Sequence, residues 1–212
     1  MKAYHYFSTP IFAEEKPEFV TSLNKSSNKF ISDSKKKEKH HIKKYGDFGK
    51  IYHSVQLTKE NDFIDFRNYV GERSVEYLIN MGYDMSIYSC AFTQLWVQEF
   101  AKKGGGHHSA HVHWNQHVSG FYFLKCSDKT SYPIFHEPRP GAEMTKLPLK
   151  NQSQITMGTN QVHYKPNPGT MIIFPGYVPH EFAVDAGLDP FRFIHFNIKV
   201  VETAISKEKS IK

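Results

Sequence analysis

Hydrophobic positions change their spacing once along this chain, near Met85. Before that point, residues 58–81 carry the clearest helical pattern. Phe63, Phe66 and Val70 recur at three- to four-residue intervals, as do Tyr77 and Met81. Thr58 is placed to cap this helix, Glu60 and Asp62 suit its first turn, and Gly82 suits its stop. Gly71 marks a point where it could divide in two. Residues 4–7 read as a short strand before the turn Ser8-Thr9-Pro10. Residues 24–50 are polar, lysine-rich and interrupted by Gly46 and Gly49, which predicts loop with little helix.

After Met85 the period becomes two. Leu95, Val97 and Glu99 alternate with Trp96, Gln98 and Phe100. Residues 118–124, 161–165, 170–174, 181–184 and 191–200 read as further strands, punctuated by Gly104-Gly105-Gly106 and by recurrent prolines. Many short strands at this spacing predict a sandwich or jelly roll. The fold class expected is therefore mainly β with flanking helices (α+β). One domain is expected over residues 1–212, helical and loop-rich to about 84, with a β core from about 85 to 201.

Composition narrows the class. Hydrophobic residues make up 39% and aromatics 15%, a globular balance. The formal charge of +6 draws on a lysine run at 35–44 and on the tail at 207–212. No recognition helix or aromatic stacking platform accompanies that charge, so a solvated surface is expected and not a nucleic-acid partner. Cys90 and Cys126 have neither zinc nor disulfide-framework spacing and suit a reducing compartment. The first residues lack a signal-peptide core, and no apolar run approaches the ~20 residues of a membrane span. These features point to a soluble, cytoplasmic protein. A homodimer is left open.

The candidate chemistry lies in the histidines, thirteen in all. His111 and His113 stand two residues apart, so on a strand they share a face and can grip one metal ion. His180 follows the strand-and-turn segment Thr170-Met171-Ile172-Ile173-Phe174-Pro175-Gly176 and can supply a third ligand from a neighbouring strand. A metal held from one side keeps coordination positions open for other groups. The alternative is a polar loop of histidines with no catalytic meaning. Arg192 lies on the last long strand among apolar residues. If Arg192, Ile194 and Phe196 face inward, the guanidinium needs an anion, and a carboxylate is its natural partner. The other choice is a surface ion pair with the strand phase reversed.

Taken together, these segments resemble a known family. His111-Val112-His113-Trp114-Asn115 with Ser119-Gly120-Phe121-Tyr122-Phe123-Leu124, then Pro168-Gly169-Thr170 onward, His180 and Arg192-Phe193-Ile194-His195-Phe196-Asn197, are similar in order and spacing to the 2OG-Fe(II) oxygenases of bacteria and tailed phages, relatives of the prolyl hydroxylases. Phe135-His136-Glu137-Pro138-Arg139 resembles that family's F-x-D-P-R turn, and Phe7-Ser8-Thr9-Pro10-Ile11 its opening. The resemblance implies a double-stranded β-helix and a dioxygenase that uses iron(II), 2-oxoglutarate and dioxygen. It implies a phage or bacterial setting, with His111 and His180 as iron ligands and Arg192 holding 2-oxoglutarate. The chain departs from the family at His113, where prolyl hydroxylases have aspartate, at Ile194, where many relatives have serine, and at Phe123, where a Tyr-Tyr pair is usual. His113 is the expected third ligand, with Glu137 as the competing acid. Hydroxylation is the default reaction, and the primary substrate, a protein side chain or a small molecule, is not specified. The rival expectations are a three-histidine cupin that needs no 2-oxoglutarate and a jelly-roll binding module without turnover.

Overall fold

The computed structural model describes residue 2 and residues 7–203. The strand expected at 4–7 therefore falls almost wholly outside the described residues, as does the basic tail at 207–212. The first observed strand is β1 (Phe12–Glu15).

Residues 24–50 are a correction to the loop expectation. They belong largely to α1 (Val20–Lys37) and α2 (Lys39–Tyr45). The apolar face of α1 is thin, which hid it in the sequence. Leu23, Ser27 and Ile31 are its buried positions, one on each successive turn. After β2 (Ile51–His53), the expected long helix is found as α3 (Ile64–Asn80), preceded by a single 3-10 turn at Asn61–Phe63. Its N-terminus has no side-chain cap, and Gly71 lies inside it without breaking it.

The β core follows as β3 (Tyr88–Phe100), β4 (His108–His111), β5 (Val118–Lys125) and β6 (Pro133–His136). A short helix α4 (Pro140–Met144) precedes β7 (Gln161–His163), β8 (Thr170–Pro175), β9 (His180–Phe182) and β10 (Arg192–Glu202). Ten strands form two antiparallel sheets among the described residues. The larger runs β1-β8-β5-β10-β3-β2 and the smaller β4-β9-β6-β7. Facing sheets in this order make a double-stranded β-helix, mostly β with helices on one side.

The helices cover the outer face of the larger sheet. Leu23, Phe66 and Val70 pack there against Leu95, Val97, Tyr122, Ile194 and Phe196. The inner face carries a second core of Phe100, Phe121, Phe123, Phe182, Phe191 and Phe193. Both faces of the central strands are thus dry. This is why β5 is buried at seven consecutive positions and shows no polar alternation. At Gly120, an added Cβ would lie 2.5 Å from the Ile172 carbonyl oxygen and would strike the Phe196 ring. The glycine of the Ser-Gly motif is therefore required by packing.

Candidate metal centre

Two strands of the smaller sheet build the cluster. β4 and β9 pair with His111 opposite His180, so register alone brings these two side chains together. His113 follows β4, its backbone N–H held by the Gly176 carbonyl at 2.8 Å. The ligand atoms of His111, His113 and His180 all lie within 4.8 Å of one another. The rings of His111 and His180 are 4.5 Å apart, and those of His113 and His180 are 5.0 Å apart.

The partners of each ring decide what it can offer. His180 Nδ1 faces the Val178 carbonyl at 2.9 Å, and His111 Nδ1 faces the Ser109 carbonyl at 2.7 Å. Each Nδ1 thus carries the proton, and each Nε2 keeps a lone pair for a metal. His113 differs. The Asn197 amide NH2 donates to its Nδ1 at 3.2 Å, and its Nε2 lies 3.3 Å from His180 Nε2. That chain places the His113 proton on Nε2. Ligation through Nε2 requires the other tautomer, which a half-turn of the Asn197 amide supplies by presenting its oxygen.

Burial keeps His113 and His180 neutral. It lowers His180 from 6.5 to about 3, offset in part by the Val178 carbonyl and reinforced by the neighbouring histidines. Burial, with His111 beside it, lowers His113 to about 4. Neutral imidazole is the ligating form, so the pocket is poised for a cation.

The cluster opens on a cavity of about 190 Å³. It is lined also by His53 and His108, by Trp96 and Gln98 of β3, by Phe121, and by Phe193 and His195 of β10. His108 Nε2 donates to Gln98 Oε1 at 2.6 Å, and burial lowers its pKa to about 4. No lysine, arginine or carboxylate lines this cavity among the described residues. His53, Trp96, His108 and His195 were not among the site residues expected from the sequence. A signal was present for His195, which stands two residues before Asn197 and shares its strand face.

The structure does not bring Arg192 to the histidines. Arg192, Ile194, Phe196 and Ile198 form the outer face of β10, against the helices, while Phe193, His195 and Asn197 point inward. Arg192 has found its carboxylate in its own chain. Its Nε donates to Glu99 Oε2 at 2.7 Å and its Nη2 at 2.5 Å. Nη1 reaches Ser27 Oγ at 3.0 Å and Asn28 Oδ1 at 2.8 Å on α1. Glu137 is also engaged elsewhere, its two oxygens bonded to Arg139 at 2.7 and 2.8 Å.

Residues 94–197 match the family described as "Putative 2OG-Fe(II) oxygenase", a span that holds all three clustered histidines and Asn197. Over that span the chain is similar to this family. The oxygenase has no sequence match among curated proteins. Its fold recurs in a Pseudomonas putida prolyl-4-hydroxylase (TM-score 0.54, 8% identity, covering 90% of this chain and 93% of that one). It recurs in a collagen prolyl hydroxylase of Paramecium bursaria Chlorella virus-1, solved with 2OG (0.55, 10% identity, 89% and 96%). It recurs also in an epimerase solved with Fe3+, alpha ketoglutarate and nogalamycin RO (0.55, 8% identity, 92% and 81%). The family and these neighbours are 2-oxoglutarate-dependent oxygenases, which are oxidoreductases. No helix of the oxygenase among the described residues is long and apolar enough to cross a membrane.

Proposed function

We propose that His111, His113 and His180 hold one iron(II) ion, and that the adjoining cavity receives 2-oxoglutarate and dioxygen for oxidation of a substrate at the mouth. The observation that carries this reading is the convergence of three imidazoles, His113 and His180 held neutral by burial, beside a cavity of about 190 Å³. The donor set suits iron(II), for which imidazole is a good ligand, and a facial grip keeps positions open.

The fit to 2-oxoglutarate rests on charge at one end and hydrogen bonding at the other. Three neutral ligands leave the metal its full double charge, which matches a dianion. The remote carboxylate would meet Gln98, His108 and His53, which bond it without a fixed positive charge. With iron and 2-oxoglutarate bound, dioxygen would be the oxidant, one of its atoms ending in succinate as carbon dioxide is released and the other in the hydroxylated C–H bond. The chain's own residues do the rest. Asn197 orients His113, the aromatic walls keep bulk water out, and the buried rings stay neutral so that protons do not displace the metal.

Anaerobic titration with iron(II) and then 2-oxoglutarate tests this directly through the metal-to-ligand charge-transfer absorption. His180→Ala is expected to lose the metal while retaining the fold. A variant that bound iron like the parent would remove His180 from the site. One observation favours a second reading. Without an arginine or lysine in the cavity, a three-histidine oxygenase could work on dioxygen and substrate alone. Iron binding with no charge-transfer band on addition of 2-oxoglutarate would select that alternative.

A further inference from the structure

Two buried polar atoms beside the histidine cluster have no hydrogen-bond partner, Trp96 Nε1 and His195 Nε2. Both side chains line the cavity. They sit opposite each other on paired strands, His195 on β10 facing Trp96 on β3, with ring centroids 4.8 Å apart. His195 is 2% exposed, and its ring lies 4.7 Å from that of His113.

Polar neighbours on the same two strands are all satisfied. Gln98 accepts from His108, while Asn197 bonds Ser119, Gln94 and His113. An unpaired buried polar atom is rare and destabilising. Phenylalanine would avoid that penalty, and it already fills the inner wall at Phe121, Phe182 and Phe193. Two such atoms side by side, next to a metal-binding cluster, indicate a partner that arrives from outside the chain. Indole N–H can only donate, so that partner must be an acceptor.

We propose that Trp96 and His195 are positioning residues that hydrogen-bond an acceptor atom of a small anionic ligand on the metal, such as a carboxylate or dioxygen-derived oxygen. This rests on the metal site proposed above. The pair aims the ligand against the inner wall of β3 and β10 and leaves the opposite side, toward the mouth, for substrate. Trp96 and His195 do not bind the metal themselves, since among the described residues the converging set comprises His111, His113 and His180.

The test uses the intact protein loaded with cobalt(II) and titrated with azide, a small acceptor anion, following the ligand-field bands. Trp96→Phe and His195→Phe each remove the nitrogen with modest change in shape. Cobalt affinity is expected to hold in both, while azide affinity falls roughly tenfold, the worth of a hydrogen bond to a charged acceptor. His195→Gln, which keeps a side-chain donor, is expected to recover part of the loss. Unchanged azide affinity in both phenylalanine variants overturns the proposal while leaving the metal site intact. Loss of cobalt in His195→Phe overturns it too, by making His195 a ligand. If the parent protein bound no cobalt, the site and the positioning pair would fall together.

Discussion

Removing the Arg192 guanidinium distinguishes a structural role from a cosubstrate role. Arg192 is 4% exposed and its partner Glu99 6% exposed. Breaking a buried pair by truncating one member typically costs ~3–5 kcal/mol, because the remaining charge stays buried and unpaired. Here the carboxylate keeps Lys35, whose ammonium lies 2.5 Å from Glu99 Oε1, and this moves the cost toward the low end. Against that, Arg192→Ala also removes the Arg192 partner of Ser27 Oγ, on a fully buried residue that keeps its bond to the Asn24 carbonyl, at about 1 kcal/mol. The expected loss is therefore about 3–5 kcal/mol, or roughly 10 °C in melting temperature for a chain of this size. Urea unfolding of the metal-free protein measures the loss, and iron titration is expected to show an intact metal site. Arg192→Met combined with Glu99→Gln should recover much of the stability, since no uncompensated charge remains. A stability change under about 1 kcal/mol, coupled to lost 2-oxoglutarate binding, would refute the reasoning and return Arg192 to the cavity.

Two further outcomes follow from the geometry. His180 has a folded pKa of about 3 against an ordinary 6.5, so it is neutral when folded and takes a proton when unfolded. Its contribution is complete above pH 6.5 and is lost as pH falls toward 3. For His180 alone, 1% exposed, the loss between neutral pH and pH 5 is about 2 kcal/mol. Urea midpoints of the metal-free protein across pH 7 to 5 should fall accordingly, and a flat profile would show the ring to be solvated. Gly120→Ala should cost about 1–3 kcal/mol or more through overpacking against Phe196 and the Ile172 carbonyl, measured by thermal unfolding, and a neutral effect would contradict the described packing.

Much of the β core was legible because turns and prolines cut the chain into strand-sized pieces. The strands expected at 118–124, 170–174 and 191–200 are found as Val118–Lys125, Thr170–Pro175 and Arg192–Glu202. The phase of the last strand was not legible. Phe193, Ile194, Phe196 and Ile198 are all apolar because one face meets the helices and the other meets the aromatic interior. Alternation carries no signal when both faces are dry, so Arg192 could be assigned to either side. Its partner was present in the sequence, since Glu99 shares the outer face of β3 with Leu95 and Val97 and pairs in register with Arg192. Helix α1 was missed for the opposite reason. A helix pinned through Ser27, Asn28 and the Arg192 network needs fewer apolar positions than periodicity looks for. The histidine triad was legible from the close spacing of His111 and His113, although not through a shared strand face, since His113 lies just past the end of β4 and is held by the Gly176 carbonyl.

The His113 departure in the sequence and the outward turn of Arg192 in the structure make electrostatic sense only when taken together. Where prolyl hydroxylases place an aspartate the chain has His113, and the arginine that resembles a cosubstrate anchor is turned outward to Glu99. A carboxylate on the metal and a cation at the far end of the cavity would add no net charge to it. Removing both adds none either, so the pocket around a divalent ion presents the same total charge to a dianion. What changes is where that charge sits. It is concentrated at the metal, and the rest of the cavity is left to neutral histidines, Gln98 and aromatic rings. With a metal held as proposed, a dianion in such a pocket would be held through its metal-binding end, and its remote end would be selected by shape and hydrogen bonding. This makes the cavity more permissive toward the remote group than an arginine-lined site. It also gives the Trp96–His195 pair more to do, because orientation at the metal is no longer reinforced by an ion pair at the opposite end.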